Sequence, residues 1–478
     1  MSAREELREI AGEISDLGRA RALLAWDERT KMPPAGGRMR AEHLATLTRL
    51  RHQRLASDEL GLALDGVEAE LKDDDQLTAD LVRMTRREWE KARRVPAELR
   101  AETARMTSLA ESAWEQARAN DDFVTFLPHL ERVVELKRRY IDCFEFDHPY
   151  DPLLDDYEPG MRTAQLAPVL AELRTGTVEL LQEIEASDSV VDSSCLHGEF
   201  PIERQAAFAQ EVTALLPLEP GAWRLDETVH PFATGIAISD LRITTRFDPT
   251  LERTLLCRSA SLGFDESSSR LWENWVGRSR PFVSFLLPAL VRHFPDNFAA
   301  LDPEAVYRAA NRVARTPIRV EADEVTYNLH IALRFELERE LFAETLAIAE
   351  LPEAWRARAS EFLDISLSDD TEGVLQDVHW SAGAFGYFPT YSLGNVIAGQ
   401  LWELAERELP DLEDQLAAGE LVALRDFLRE RVYSHAARML PSKLVEVATG
   451  GPLDPAPLLR HLRAKYGELY QLSSSSSP

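Results

Sequence analysis

The chain has 478 residues, 45% of them apolar, and carries 54 Lys plus Arg against 82 Asp plus Glu, a formal charge of −28. That apolar fraction excludes a disordered or disulfide-stapled chain, and the length allows about three domain-sized units or one large one. The negative charge excludes binding along a nucleic-acid backbone or docking on anionic lipid, because there is no basic excess to displace counterions.

Cys143, Cys195 and Cys257 are odd in number and far apart, which gives neither a disulfide framework nor a thiolate metal spacing and fits a reducing cytoplasm. The opening MSAREELREI lacks the apolar core of a secretory leader, and no run of 18 apolar residues is present to span a membrane. Lysine stands only at positions 31, 72, 91, 137, 443 and 465, while arginine is abundant. Such a surface suits high salt, where screening relieves self-repulsion. GC-rich coding with an ordinary acidic surface explains the same composition.

Helical periodicity dominates. Leu7, Ile10, Ile14, Leu17 and Leu24 line one face of a first helix, which must end by Met32-Pro33-Pro34, where two amide donors are missing. A second helix restarts at Arg38 and carries Leu44, Leu47 and Leu50. Further patterns predict helices over 75–118, 121–145, 163–186 and 201–216, with Asn120 and Asp121 offering an N-cap. Between Gly235 and Phe247 the run GIAISDLRITTRF alternates instead, predicting a short hairpin or small sheet. Helices resume near Arg270 and after Asp323, whose carboxylate precedes VTYNLHIALRFELERELF. The closing SSSSSP is low-complexity and expected to fray.

Several polar groupings invite a chemical reading. His230-Pro231-Phe232 precedes the strand run, and period-two geometry puts Asp240, Arg242 and Thr244 on one face. That row could bind a carboxylate with Arg242 as a fork, although a solvent-facing salt bridge explains it too. Glu266 and Arg270 fall one helical turn apart, as a surface ion pair would. Arg319 stands just ahead of a helix whose first amides attract anions; a structural arginine beside a cap would look the same. The densest cluster is Gln376-Asp377-Val378-His379-Trp380, followed by Gly386-Tyr387-Phe388-Pro389 and Tyr391. It reads as a pocket wall with a proton donor or as a packed aromatic corner.

Together these segments resemble the thermostable carboxypeptidase Taq family of metallocarboxypeptidases, nearly end to end. The resemblance is carried by LLAWDERTKMPPAGGRMRAEHLATL, HPYDPLLDDYEPGM, RLDETVHPFATGIAISDLRITTRF and SLGFDESSSRLWENWVGRSRPF. It continues through IRVEADEVTYNLHIALRFELE and GVLQDVHWSAGAFGYFPTYSLGN to ATGGPLDPAPLLRHLRAKYGELY. The resemblance implies a mostly helical fold with a deep groove, usually a homodimer, that removes C-terminal residues from peptides one at a time. It also implies zinc or cobalt, held by a His-Glu-x-x-His helix and a downstream glutamate.

This chain departs from that pattern at the metal. Thr244-Thr245-Arg246-Phe247 runs through DPTLERTLLCRSA directly into Ser261-Leu262-Gly263, where the family would place the metal helix. No His-Glu-x-x-His occurs anywhere in the sequence. Both imidazoles one turn apart and the intervening general base are therefore missing. Asp265 stands where the family has a histidine, leaving Glu266 as the one metal-ligand position retained. By the same resemblance, His230, Asp240, Arg242, Thr244, Arg319, Asp323 and Asp377 are substrate-side residues, with Arg242 and Arg319 gripping a peptide carboxylate. His379, Tyr387 and Tyr391 are vestigial catalytic candidates. Tyr433 and His435 stand where the family often has two histidines.

The expectation is a mainly α protein: one large helical domain over 1–472 with a central groove and a small β hairpin at about 235–247, and a disordered tail over 473–478. Its expected function is that of a cytoplasmic pseudo-metallocarboxypeptidase without cofactor. It would bind peptide C-termini as a homodimer or with an active paralogue, and neither nucleic acid nor membrane. A working enzyme with zinc or cobalt rebuilt around Glu266, Asp265, His230 and His379 is one alternative. A structural or damaged paralogue, with an exposed apolar patch or cavity beside the lost segment, is another.

Overall fold

A capping box opens the first helix, Ala3–Thr30: Ser2 Oγ accepts from Glu5 N and Glu5 Oε2 accepts from Ser2 N. The computed structural model describes residues 2–72, 74–216, 221, 223–226, 234–237, 240–242 and 253–472. Among them it is mainly helical, with twenty α-helices. Leu7, Ile10 and Ile14 are buried, but Leu17 and Leu24 are only partly so; the core side of this helix is its first half. Pro33 and Pro34 follow its end, and the second helix is Gly37–Leu55. Its apolar stripe is not core, since Leu44 and Leu47 are half-buried and Leu50 is 40% exposed.

The single pattern over 75–118 is two helices, Gln76–Arg94 and Ala97–Asn120. They separate at Val95-Pro96, because proline has no amide to donate and disfavours helical geometry in the residue before it. Phe123–Ile141 is capped by Asp122, whose Oδ1 accepts from Thr125 N at 3.1 Å, not by Asn120 or Asp121. Asp121 adopts a left-handed φ of 52° and accepts instead from the amides of Asp370 and Thr371.

The chain divides into two compact units, each assembled from separated stretches. The first comprises Met1–Ala97, Leu216–Ala260 and Arg425–Leu444. Within it, strands Thr234–Ala237 and Asp240–Arg242 pair antiparallel, Thr234 opposite Arg242 and Ala237 opposite Asp240, with an irregularity between Gly235 and Ala237. The later part of DPTLERTLLCRSA is built into this unit's core. Leu255 joins Leu7, Ile10, Ile14 and Leu64, while Leu256 and Cys257 join Leu81, Met84 and Ala436. Arg19 Nη2 donates to Cys257 O at 2.6 Å, and Ala437 N donates to Leu256 O at 3.2 Å. The side chains of Leu255, Leu256 and Cys257 are thus covered rather than exposed, at 8%, 1% and 4%.

The second unit comprises Glu98–Leu215, Ser261–Leu424 and Val445–Pro478. Two of its helices, Tyr327–Phe342 and Pro389–Glu408, are buried along most of their length. A helix enclosed on all sides must pair every polar group it carries, and these carry several. The helix Leu262–Arg270, capped by Ser261 Oγ accepting from Phe264 N, packs on Pro389–Glu408. Gly394 makes that approach possible: a Cβ there would lie 2.5 Å from Glu266 Cβ. Beyond Arg270 the coil widens into a π-helical stretch, Leu271–Gly277.

Candidate functional site

The site is built in the second unit around one carboxylate, Asp377, held between two arginines. Arg319 lies in the short turn Arg319–Glu321, and its Nε and Nη2 donate to Asp377 Oδ1 at 3.2 and 2.8 Å. From the buried helix Tyr327–Phe342, Arg334 Nε donates to Asp377 Oδ2 at 2.7 Å. Gln376 Oε1 accepts from both Arg334 Nη2 and the Arg319 amide, so the dipeptide Gln376-Asp377 ties both arginines down. Arg334 is 0% exposed and Arg319 5%. Burial alone would raise the Asp377 carboxyl, but the guanidiniums of Arg334 and Arg319 override it and hold Asp377 well below the usual carboxylate range. Beneath them His330 is buried, and desolvation pushes its imidazole down to about 3, so it is neutral at any physiological pH.

Aromatic rings close the outer side. The Arg319 guanidinium lies 5.0 Å from the Tyr391 ring centre, and its Nη1 donates to Tyr327 Oη at 3.0 Å. His379 Nε2 is 3.3 Å from Tyr391 Oη, and its ring packs on Phe388 at 4.4 Å and Tyr387 at 5.3 Å. Burial raises the hydroxyls of Tyr387 and Tyr391, and Glu266 contributes to both shifts. Glu266 is half-buried on helix Leu262–Arg270, its Oε2 accepting from Ser269 Oγ at 2.8 Å. One turn later Arg270 stacks on Tyr327, 4.1 Å from the ring centre.

A second buried carboxyl fastens the loop that presents His379. Glu338 Oε1 accepts from Trp380 Nε1 at 2.7 Å, and its Oε2 accepts from Tyr150 Oη at 2.6 Å and from Gly386 N at 2.9 Å. It therefore grips the residue after His379 and the residue before Tyr387. Gly386 takes a φ of 89°, and a Cβ there would lie 2.5 Å from Leu153 O, so the turn admits only glycine.

Of the residues singled out by sequence, Arg319, Asp377, His379, Tyr387, Tyr391 and Glu266 come together here. Arg319 is already engaged by Asp377 rather than standing open as a fork. Asp323 is a structural cap: Oδ1 accepts from Val325 N and Thr326 N, and Oδ2 from Ala314 N and Thr326 Oγ1. His230 and Thr244 lie outside the described residues, as do the side chains of Asp240 and Arg242, whose backbones form the second strand. Tyr327, Arg334 and Glu338 belong to the site without having been picked out. A signal existed in the last two: an arginine and a glutamate inside LHIALRFELERELF must be buried if that helix is enclosed. Tyr433 is buried in the first unit, and burial lowers the neighbouring His435 imidazole.

The donor set does not fit the metal that the resemblance implies. Among the described residues no three His, Cys, Asp or Glu side chains are grouped so as to hold an ion, and Asp265, Glu266 and His379 do not form such a group. Asp265 is exposed, while His379 is packed among aromatic rings.

Comparison with known proteins places this arrangement. The model of the carboxypeptidase Taq (M32) metallopeptidases matches residues 6–258 and 248–466, two pieces that overlap at 248–258. Thermostable carboxypeptidase 1 of Thermus thermophilus is 40% identical over 506 residues, covering 98% of this chain and 99% of that protein. Carboxypeptidase 1 of Bacillus subtilis is 34% identical over 494 residues, with the same coverage. The crystal structure of an M32 carboxypeptidase from Deinococcus radiodurans superposes with a TM-score of 0.93 at 37% identity, over 98% of this chain and 99% of that one. The chain belongs to the carboxypeptidase Taq (M32) metallopeptidase family.

Proposed function

We propose that this chain is a member of its family that binds peptide C-termini without hydrolysing them. The observation that carries the reading is the donor set: the sequence has no His-Glu-x-x-His, and among the described residues Glu266 has no imidazole or carboxylate partners with which to coordinate an ion. The break between the two pieces of the family match falls on DPTLERTLLCRSA, the segment in which the motif would lie. The alignment with the Thermus protein runs over 506 residues against 478 here, which fits a stretch absent from this chain.

What remains suits binding. Asp377 is shared by two guanidiniums, so this buried layer carries one more positive charge than Asp377 neutralises. Aromatic walls lower the local dielectric and strengthen any charge-assisted bond formed there. Arg319 is the residue proposed to meet the terminal carboxylate, with His379, Tyr387 and Tyr391 orienting the last peptide bond. The reading extends to a cytoplasmic homodimer, or a pairing with an active paralogue. The covered Leu255, Leu256 and Cys257 support a functional fold over a damaged one.

The test is metal content together with peptide binding. After incubation with excess Zn²⁺ or Co²⁺ and desalting, we expect no stoichiometric ion, and binding of a free-acid peptide over its C-terminally amidated form. One retained ion per chain with peptide hydrolysis overturns the reading.

A further inference from the structure

Next in sequence to two of the site's tyrosines stands a buried, uncharged polar cluster. Asn328 lies on helix Tyr327–Phe342, and Ser392 and Asn395 on helix Pro389–Glu408. They are 2%, 0% and 4% exposed. Asn328 Oδ1 accepts twice, from Ser392 Oγ at 2.9 Å and from Asn395 Nδ2 at 3.0 Å. The other end of each amide is unmet: Asn328 Nδ2 and Asn395 Oδ1 are buried with no hydrogen-bond partner among the described residues. Turning both amides over only exchanges the roles, leaving Asn328 Oδ1 and Asn395 Nδ2 unmet, and turning one alone sets like groups against each other. In every consistent orientation one donor and one acceptor are left over, and burial makes both costly. Water is the smallest group that donates and accepts at once.

We infer that Asn328, Ser392 and Asn395 enclose one buried water, and that this hydrated clamp sets Tyr391 against His379. Asn328 follows Tyr327 and Ser392 follows Tyr391, and those two rings meet at right angles, 6.2 Å between centres. The Ser392–Asn328 bond therefore joins the two helices at the level of the ring pair. Tyr327 Oη accepts from Arg319, and Tyr391 Oη is 3.3 Å from His379 Nε2, so the register of the helices sets the spacing of groups on both sides of the site. Apolar side chains of similar volume would fill the same space, but they tolerate sliding; a satisfied polar network is directional and fixes one register. The three are positioning residues, acting through the tyrosines beside them.

The experiment joins a crystal structure of the full chain that shows ordered water to NMR of the histidine rings, with the His379 signal assigned through His379→Gln. One water within hydrogen-bond distance of both the Asn328 and Asn395 amides is expected. Asn395→Leu removes the pairing amide and is expected to displace that water and to shift the His379 ring signal in the direction in which Tyr391→Phe shifts it. Ser392→Ala removes one hydroxyl and is expected to shift it less. Amides paired directly without water, or a water touching only one of them, overturn the hydrated clamp. A His379 signal that stays in place in both variants while the melting temperature falls overturns the positioning role and leaves the cluster a stability element. Should Asn395→Leu fail to fold, the parent structure decides the first point and Ser392→Ala the second. Neither readout uses a peptide, so the reading of the chain as a binder of peptide C-termini stands or falls separately.

Discussion

Asp377 and Glu338 are both buried carboxyls of the second unit, and they are held in opposite ways. Asp377 faces two guanidiniums and is kept ionised; Glu338 faces a phenol, an indole and an amide, and burial pushes it up to about 7. One is fixed by charge, the other by neutral donors whose hydrogen bonds only partly offset desolvation. Both act on one loop, Asp377 two residues before His379 and Glu338 through Trp380 just after it. The difference teaches what has been kept. The loop presenting His379, Tyr387 and Tyr391 is secured by Asp377 and Glu338, whose partners in the fold are arginines and neutral donors, so its shape does not depend on a bound metal.

Replacing Asp377 strikes the charged half of that comparison and carries the largest expected effect. Asp377→Ala strands two buried guanidiniums and is expected to destabilise the protein by about 3–5 kcal/mol, read from urea denaturation. Loss of only a few tenths would mean that the arginines find other counter-charges. Glu338→Gln strikes the neutral half. It keeps the shape but turns an amide donor toward existing donors, with an expected loss of about 1–3 kcal/mol. The pH dependence separates the two. Glu338 titrates near 4.5 when unfolded and near 7 when folded, so its contribution is complete below pH 4.5 and is lost as pH rises through 7. Glu158 adds to that trend: it accepts from Gly263 N at 2.5 Å, and burial pushes it up to about 8. Asp377 behaves inversely, giving stability above its unfolded value near 3.8 that is lost only as pH falls through its much lower folded value. The gap between parent and Glu338→Gln should therefore shrink from pH 5 to pH 8, whereas the Asp377→Ala gap should hold constant. A Glu338→Gln gap that widens with pH would show that Glu338 is folded as an anion.

The same contrast marks how far the sequence was legible. Period and punctuation located most helices, because a 3.6-residue stripe and a missing proline amide act locally. The Gln376–Trp380 cluster also stood out, since a histidine beside an aspartate before a glycine-rich aromatic turn is rare by chance. Placement that depends on distant partners was not legible. Arg334 reads as one more charge on an amphipathic helix until Trp355, Phe388 and the Gln376 loop enclose it. The Leu44–Leu50 stripe looks like core and is not. Two units assembled from separated stretches leave no composition shift at their borders to mark them in the sequence. Arg270 was misread because i, i+4 spacing with Glu266 describes a solvent pair as well as it describes a guanidinium lying on a buried tyrosine.

The smallest effect tests whether the fastened loop needs its outer ring contacts. Tyr391→Phe removes one hydroxyl, whose bond to His379 Nε2 is long at 3.3 Å, and leaves the ring against Arg319 and Tyr387 in place. A neutral hydrogen bond of that length contributes about 0.5–1 kcal/mol at most, and the stacked ring retains its contact with the guanidinium. The melting temperature should accordingly move by only a few degrees, with no change in its pH profile, because neither Asp377 nor Glu338 touches the hydroxyl. Peptide affinity is the sharper readout. If Tyr391 orients a bound terminus, Tyr391→Phe weakens the free-acid and amidated peptides by the same factor. A Tyr391→Phe chain that melts as early as Glu338→Gln would mean that the loop is held from its aromatic face, and that the buried carboxyls are not what keeps its shape.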